Sequence, residues 1–313
     1  MKKKIIVVAG PTASGKTALG IKIALAVNGE IISADSMQVY KNMPVATAAP
    51  TSEEKAQAKH HLVEFLEPQE RFSVAAWCSL ARQKIDEIIS RGKIPVIVGG
   101  TGLFIDSLVD NIIFSEGQTD FELRNRLMNR DCDDLYNELT EVDPQSAKEI
   151  HKNNKKRVVR ALELYYSGVS KTQQNIDSHR EESPYEVLYF VIEYESRNIL
   201  YDRINSRVDK MMEQGLLDEA RSNLNISAET AAQAIGHKEL SAYLNGDCPL
   251  EEAVENLKRK TRNYAKRQIT WFKRRKDAVI LRPDADGFDN TVKKAVACCE
   301  DFTNGKNEGK QSE

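Results

Sequence analysis

The sequence predicts an α/β fold in which helices flank a parallel sheet, with an all-helical segment inserted in the chain. Short apolar runs, typical of parallel strands buried on both faces, recur at residues 5–8, 30–35, 94–98, 187–192 and 278–281. Amphipathic stretches of helical length separate most of these runs. Between residues 112 and 184 the strand pattern stops and helices follow one another. The predicted organisation is therefore an α/β domain of residues 1–111 and 185–302, interrupted by a helical domain of residues 112–184.

The first apolar run leads into residues 10–17, which read GPTASGKT, and a helical pattern over 18–24 follows. This strand, loop and helix match the G-x-x-x-x-G-K-T spacing of a phosphate-binding loop, or P-loop, so we expect a P-loop NTPase-like fold. Backbone N–H groups of such a loop point at an anion, and the helix adds the positive end of its dipole. Lys16 can reach a terminal phosphate and Thr17 can bind Mg²⁺. The candidate diphosphate-binding residues are Gly10, Pro11, Thr12, Ala13, Ser14, Gly15, Lys16 and Thr17.

The second apolar run ends at Asp35. Ligands of open α/β sheets lie beyond the carboxyl ends of the strands, so Asp35 is expected at the same edge of the sheet as the P-loop. A turn or helix-capping aspartate is the alternative. Helices are predicted over 53–59 and 74–89, and the adjacent His60 and His61 are interpreted as structural because they lack the spacing of a metal site.

The third run ends in Gly99-Gly100-Thr101-Gly102. A P-loop NTPase usually carries a Mg²⁺-binding aspartate at this place, and its replacement by glycine argues against ATP hydrolysis and kinase chemistry. The glycines predict close approach of a ligand, with Thr101 offering a hydroxyl. A plain strand-to-helix turn is the alternative.

Helices are predicted in the insertion over 122–130, 133–139, 146–150 and 156–166. Lys155, Lys156, Arg157 and Arg160 share one basic helical face, which is either a solvated surface or a contact for a phosphate backbone.

After the fourth run, a helix is predicted over 196–214, where Arg203 and Arg207 lie one turn apart and point the same way. A helix over 250–276 carries ten basic residues and no acidic one from Lys258 onward, interleaved with aromatic residues. This pattern suits phosphate contacts and base stacking. A final strand at 278–281 and a helix over 288–302 precede a polar tail, 303–313, that we predict to be disordered.

The composition, with 41% hydrophobic and 29% charged residues and a net charge of −2 over 313 residues, is that of a soluble protein. No apolar run reaches the length of a membrane span, and the basic start lacks a long apolar region and a cleavage site. The five cysteines show no C-x-x-C spacing. We expect a cytoplasmic protein, monomeric and without membrane contact.

The motifs together resemble the tRNA dimethylallyltransferases, enzymes that prenylate an anticodon-loop adenosine. The resemblance extends from about residue 5 to residue 272. It rests on segments 10–17, 35–40 (DSMQVY), 98–103 (VGGTGL), 141–144 (EVDP), 157–163 (RVVRALE), 203–208 and 261–271.

The resemblance implies transfer of the dimethylallyl group from dimethylallyl diphosphate to the exocyclic N6 amine of the adenosine 3′-adjacent to the anticodon, releasing diphosphate. Asp35 matches the general base, and Lys16 and Thr17 match the contacts to diphosphate and to the cofactor, Mg²⁺. Asp35, Thr17 and Thr101 are then the expected catalytic residues, and Arg203 or Arg207 would meet the diphosphate. The residues expected to contact the tRNA anticodon stem-loop are Asp35, Ser36, Met37, Gln38, Thr101, Arg124, Lys156, Arg157, Val158, Val159, Arg160, Gly236, Lys238, Arg262, Lys266 and Arg267.

The chain departs from the family pattern at three places. Ala49 replaces a lysine of the usual G-T-A-K-P, His237 replaces the tyrosine of G-Y, and Gln233 replaces an arginine of some members. The first bears on substrate binding and the other two on local tRNA contacts.

Three other functions are alternatives to this one. A nucleotide kinase would need an acidic residue on the second or third strand, together with an arginine-rich lid. A prenyltransferase acting on free adenine nucleotides would not need the helical insertion. A P-loop RNA-binding protein without catalysis would leave Asp35 and Thr101 without a role.

Overall fold

The computed structural model describes residues 2–114, 120–177, 181–224, 231 and 234–305. The chain folds into two compact units, an α/β unit of residues 1–109 and 184–313 and a helical unit of residues 110–183. Within the described residues of the α/β unit, six parallel strands form one sheet in the order β3-β2-β4-β1-β5-β6. The strands are β1 (Lys3–Ala9), β2 (Gly29–Ser33), β3 (His60–His61), β4 (Ile94–Gly99), β5 (Tyr185–Ile192) and β6 (Val279–Leu281). The predicted fold class is confirmed.

Helices flank this sheet. Those of the α/β unit are α1 (Lys16–Ala26), α2 (Pro44–Thr47), α3 (Ser52–Gln57), α4 (Val74–Ser90), α5 (Gly102–Val109), α11 (Arg197–Glu213), α12 (Leu216–Ser222), α13 (His237–Leu244), α14 (Leu250–Phe272), α15 (Pro283–Asp286) and α16 (Phe288–Thr303). No helix of the described part is long and apolar enough to cross a bilayer.

The central strand β1 is completely buried along its apolar run, as expected for a parallel strand covered on both faces. Ile6 and Val8 share an apolar cluster with Leu19 and Ile23 of α1 and with Phe302 of α16. This packing fixes the end of β1 and the start of α1, and therefore the loop that joins them.

The outer edge of the sheet is held by a buried carboxylate in β2. Glu30 is 3% exposed and meets Nε2 of His61 at 2.7 Å, the Arg91 guanidinium at 2.7 Å and Nζ of Lys93 at 3.0 Å. Burial alone would raise the pKa of Glu30, but hydrogen bonds from these three partners lower it to about 2. The structural interpretation of His61 agrees with this contact.

The helical unit contains α6 (Phe121–Met128), α7 (Cys132–Val142), α8 (Pro144–Glu149), α9 (Lys155–Tyr166) and α10 (Lys171–Asp177). Leu135 and Leu139 of α7 pack with Val158 and Leu162 of α9 in a core of their own. Asp143 caps α8 by accepting from the Ser146 backbone N–H group at 3.1 Å. This capping explains the Asp-Pro pair at the start of α8.

Several boundaries differ from the prediction. The basic helix α14 ends at Phe272 and not at residue 276, because the chain turns there to bring β6 beside β5. Strand β3 was not predicted, since two residues show no period of their own. The short helices α2, α12 and α15 were also missed. Gln233 and most of the predicted tail, residues 306–313, lie outside the described residues.

Candidate active site

A cavity of about 370 Å³ lies where β1, β2 and β4 end, at the carboxyl edge of the sheet. The P-loop contributes Thr12, Lys16 and Thr17 to its wall, and the segment after β2 contributes residues 35–38. Further parts of the wall come from the strand ends, from α11 and from α14, together with Ala46, Thr47, Ala48, Pro50, His60 and Ile235. A wider depression of about 1030 Å³ adjoins it and shares Lys16, Thr17 and Arg207. An anion on the P-loop can therefore be reached from both.

The shape of the P-loop is set by contacts within the protein. Gly15 has φ 94°, a left-handed conformation that suits glycine, and it begins α1. Nζ of Lys16 donates to the Pro11 carbonyl over 2.7 Å. The Thr12 backbone N–H group donates to Oε1 of Gln268 over 2.8 Å, so this amide is committed within the protein. The later residues of the loop, Ala13, Ser14, Gly15, Lys16 and Thr17, line the depression.

Three charged side chains of the cavity, those of Lys16, Arg207 and Asp35, influence one another. Burial and the nearby Arg207 guanidinium lower the pKa of Lys16 to about 7, and the Asp35 carboxylate partly opposes this. Burial also lowers the pKa of Arg207, again opposed by Asp35. Bringing two cations together here favours a ligand that carries more than one negative charge.

The structure separates Arg203 from Arg207, which the sequence had left equivalent. Arg207 lines the cavity together with Lys16 and Asp35. Arg203 is exposed, its Nε donates to the Ala13 carbonyl over 2.9 Å, and its guanidinium lies 5.8 Å from the centre of the Tyr194 ring. Arg203 therefore supports the outer side of the P-loop, and Arg207 is the arginine that faces the cavity.

Asp35 lies opposite the P-loop in this cavity and is also a turn residue. Its Oδ1 accepts from the backbone N–H groups of Met37 at 2.9 Å and Gln38 at 3.4 Å. The Thr101 hydroxyl accepts from the Ser36 N–H group at 3.0 Å, which ties the loop after β4 to the same turn. The two interpretations of Asp35 are compatible, because both turn hydrogen bonds use Oδ1 and the side chain still lines the cavity.

Helix α14 supplies two residues to this site whose roles the sequence did not reveal. Burial and the Asp35 charge raise the pKa of the Tyr264 phenol well above its usual value, while a hydrogen bond with Thr101 opposes this. Gln268 is 5% exposed, and its Nε2 donates to the Gly100 carbonyl over 2.9 Å. With its contact to Thr12, Gln268 joins the P-loop to the loop after β4. In the sequence, the only indication that Tyr264 and Gln268 belong to the site was their position among the basic residues of one helix.

The glycines at the end of β4 pack closely against other parts of the protein, and Gly99 also lines the cavity, so close approach of a ligand stays a prediction. A Cβ atom on Gly99 would lie 2.1 Å from the Ala34 carbonyl oxygen. One on Gly100 would lie 2.2 Å from Nε2 of Gln268. Both distances are too short for real atoms, so glycine is required by the neighbouring turn and by α14.

One histidine of the pair in β3 reaches the cavity. His60 lines it, with Nδ1 2.8 Å from the Ala58 carbonyl and a buried Nε2 that meets no hydrogen-bond partner in the described structure. The buried Thr47 hydroxyl, also in the cavity wall, likewise meets no hydrogen-bond partner in the described structure. His60, which the sequence indicates to be structural, also forms part of the cavity wall.

The other predicted tRNA contacts of the α/β unit lie on or near α13 and α14. Arg267 lines the cavity and lies 5.4 Å from the centre of the Tyr264 ring, and Lys266 is exposed. Arg262 donates to Oδ1 of Asn205 over 2.6 Å. Gly236 is buried at the start of α13, where the next residue but one, Lys238, is exposed.

In the helical unit the predicted residues fall into two groups. Lys156, Arg157 and Arg160 are exposed, whereas Val158 and Val159 are buried in the core of the unit. The two valine side chains therefore support α9 from inside the unit, and tRNA contact at these two positions stays a prediction. Arg124 and Arg160 share a buried partner, Glu163, at 2.9 and 3.1 Å.

The described residues contain no group of three or more His, Cys, Asp or Glu side chains that could hold a metal ion. A divalent cation would therefore rely on the Thr17 hydroxyl together with phosphate oxygens and water. That donor set fits Mg²⁺, which usually keeps several waters and binds with substrate phosphates.

Two family models match this chain: "IPP transferase" over residues 38–275 and "Isopentenyl transferase" over residues 3–65. The chain belongs to the IPP transferase family. A relative named tRNA dimethylallyltransferase from Acetivibrio thermocellus is 46% identical over 299 residues, covering 92% of this chain and 94% of the relative. One of the same name from Bacillus licheniformis is 46% identical over 282 residues, covering 88% and 90%.

Solved structures of this family share the fold. The full-length tRNA isopentenylpyrophosphate transferase from Bacillus halodurans is 37% identical, with a TM-score of 0.73 over 98% of this chain and 100% of that one. A eukaryotic dimethylallyltransferase, described as acting on tRNA, is 31% identical with a TM-score of 0.85, over 99% of this chain and 81% of that one.

Proposed function

We propose that this protein transfers the dimethylallyl group of dimethylallyl diphosphate to the N6 amine of the tRNA adenosine 3′-adjacent to the anticodon. The observation that carries the proposal is that one cavity contains Lys16, Thr17 and Arg207 together with Asp35. The first three suit a diphosphate, and the carboxylate suits the proton that an attacking amine must lose. The names of the relatives and the family support the same reaction.

The acceptor nitrogen attacks C1 of the dimethylallyl group as the bond from C1 to the diphosphate oxygen breaks. An aromatic exocyclic amine is a weak nucleophile, so Asp35 takes its proton as the new C–N bond forms. Lys16, Arg207 and the loop amides hold the negative charge of the leaving diphosphate. Thr17 would hold Mg²⁺, which neutralises phosphate charge when it is bound.

The cavity also has a wall for the five-carbon group. Val208, Met211, Ile235 and Leu257 line it with apolar side chains. The dimethylallyl group has no polar atom to satisfy, so an apolar wall beside the cationic P-loop suits a molecule with an apolar tail and a charged head. This combination favours a prenyl diphosphate over a nucleotide as the ligand of the P-loop.

The acceptor base has to leave its stack to reach Asp35, which a loop nucleotide can do at modest cost. Residues 35–38 then hold the adenine in this proposal; Arg267 lines the same cavity, and the Thr101 hydroxyl accepts from the Ser36 N–H group. Lys266 on α14 and Lys156 and Arg157 of the helical unit offer exposed cations to the tRNA backbone.

The alternatives fit these contacts less well. A kinase needs a carboxylate that binds Mg²⁺ near the end of β4, where this chain has Gly99 and Gly100 packed against other parts of the protein. In a binding protein without catalysis, the Asp35 carboxylate near Lys16 and Arg207 would have no reaction in which to take part.

The proposal is tested by following labelled dimethylallyl diphosphate into an unmodified tRNA transcript, with AMP and ATP offered as competing acceptors. A transcript with guanosine at the target position is the matched control. We expect label only in the adenosine-containing tRNA, and no ATP hydrolysis. Label in AMP with none in tRNA, or ATP hydrolysis that needs no tRNA, would refute the assignment.

A further inference from the structure

Residues 44–48 form part of the cavity wall and are held from outside by a carboxylate on α12. Glu219 accepts from the backbone N–H groups of Val45 and Ala46, with O···N distances of 2.8 and 2.9 Å. Both N–H groups lie in the first turn of α2, which offers them no acceptor of its own. The Glu219 carboxylate thus fixes the backbone of this segment.

His237, the first residue of α13, fixes the carboxylate in turn. Its Nε2 lies 2.8 Å from Oε1 of Glu219, and the two side chains are only 9% and 10% exposed. A carboxylate can only accept, so Nε2 carries the proton and donates. The preceding Gly236 has φ 120°, which suits glycine, and it lies beside Ala46 of the held segment.

At the other end of the segment, the Ala48 carbonyl is hydrogen-bonded to Gln38, whose side chain lines the cavity. Nε2 of Gln38 donates to the Ala48 carbonyl over 2.9 Å, and its Oε1 accepts from the Ser33 hydroxyl over 2.8 Å. Gln38 lines the cavity with Asp35, and Oδ1 of Asp35 accepts from the backbone N–H group of Gln38. The orientation of the Gln38 amide therefore depends on where residues 44–48 lie.

We propose that Glu219 and His237 are positioning residues, which hold residues 44–48 and, through the Ala48 carbonyl, set the Gln38 amide for the acceptor adenine. The inference rests on the proposed function, because it takes Gln38 to be a contact of that base. It also gives a role to His237, where the sequence departs from the usual tyrosine. Like the histidine Nε2–H group, a tyrosine hydroxyl is a hydrogen-bond donor.

The first test compares Glu219→Ala with Asp218→Ala, a matched control whose carboxylate is exposed on the same helix. In Glu219→Ala we expect kcat/KM for tRNA to fall about tenfold, the scale of a lost charged hydrogen bond. Glu219→Gln, which keeps one acceptor, should show a smaller loss in the same direction. His237→Phe, which removes the donor, should lower kcat/KM for tRNA, and His237→Tyr, which keeps a donor, should leave it closer to the wild-type value.

A double-mutant cycle separates positioning from a general structural effect. If Glu219 acts through Gln38, Glu219→Ala should add less than about a twofold loss in the Gln38→Ala background. In the Lys16→Ala background it should cause its full loss. Equal losses in both backgrounds would overturn the inference, as would a Glu219→Ala variant with wild-type kcat/KM.

Amide hydrogen exchange gives a readout that needs no activity. Exchange of the peptide containing residues 42–48 should rise in Glu219→Ala and stay unchanged in Asp218→Ala, while the thermal midpoint confirms that both variants are folded. Unchanged exchange in Glu219→Ala contradicts the inference. Failure of the proposed function would instead appear as a folded wild-type protein that transfers no label to tRNA.

Discussion

Lys16 should make binding of the prenyl diphosphate sensitive to pH above neutrality. Its pKa is lowered to about 7 by burial and by Arg207, with Asp35 as the opposing charge in the cavity. At pH 7 about half of the free protein carries the ammonium group, and at pH 9 about one hundredth does. Dimethylallyl diphosphate keeps its charge over this range, because a phosphate group loses its last proton near pH 6.

If only the charged form of Lys16 binds tightly, the dissociation constant should rise about 50-fold between pH 7 and pH 9. A charged hydrogen bond contributes about 1.5–3 kcal/mol, or about 10- to 150-fold in affinity, so the expected loss is tens of fold. Isothermal titration calorimetry with dimethylallyl diphosphate measures the dissociation constant directly. It should also show proton uptake on binding at pH 8. The sign follows from the ligand, whose negative charge raises the pKa of Lys16 in the complex.

Two variants at the same position control this experiment. Lys16→Met removes the titrating group and should bind weakly with little dependence on pH. Lys16→Arg keeps a charge throughout the range and should also show a flat profile. An affinity of the wild-type protein that does not change between pH 7 and pH 9, or a Lys16→Met profile as steep as that of wild type, would refute the reasoning.

Three further results are expected. Gly100→Ala should destabilise the fold by about 1–3 kcal/mol and lower kcat/KM, since its Cβ atom would meet Gln268 at 2.2 Å; thermal unfolding and the transfer assay measure the two effects. Reversing charge at Lys156 and Arg157 should raise KM for tRNA, lower the slope of log affinity against log salt by about 1.5, and leave KM for dimethylallyl diphosphate unchanged. Glu30, with a folded pKa of about 2 against an ordinary 4.5, contributes stability that is complete above pH 4.5 and lost as pH falls through 2; the free energy of unfolding of Glu30→Gln should therefore vary less over this acid range than that of wild type, by on the order of 3 kcal/mol.

The choice of Lys156 and Arg157 for charge reversal comes from the structure. The sequence groups Arg160 with them on one basic face, but Arg160 lies 3.1 Å from the buried Glu163. A glutamate at position 160 would repel Glu163 and disturb the core of the helical unit. An effect on tRNA binding could then not be separated from a change in folding.

The sequence predicted those features that rest on local patterns. The apolar run of β1, the glycines of the P-loop and the start of α1 lie side by side in the chain, so their spacing carries the information. The strand β2 and the position of Asp35 beyond it follow from the same kind of pattern. These segments supply the P-loop residues of the cavity wall and residues 35–38.

The remaining features depend on contacts between distant parts of the chain. Gln268 joins Thr12 to Gly100, and neither partner can be read from the sequence around Gln268. Arg203 and Arg207 are equivalent on a helix face, and only the packing of α11 against the P-loop separates them. The sequence indicates that the glycines at the end of β4 are sites of close approach, but it does not show that Ala34 and Gln268 are the protein residues packed against them.

The central claim is that Asp35 accepts the proton of the attacking amine in the cavity that holds the diphosphate. The most direct measurement is the single-turnover rate of Asp35→Asn with tRNA and dimethylallyl diphosphate both saturating. The substitution keeps the size of the side chain and removes its basicity, so the rate should fall by roughly 10²–10⁴, with tRNA affinity changed far less. A folded Asp35→Asn protein that reacts at the wild-type rate would contradict the account.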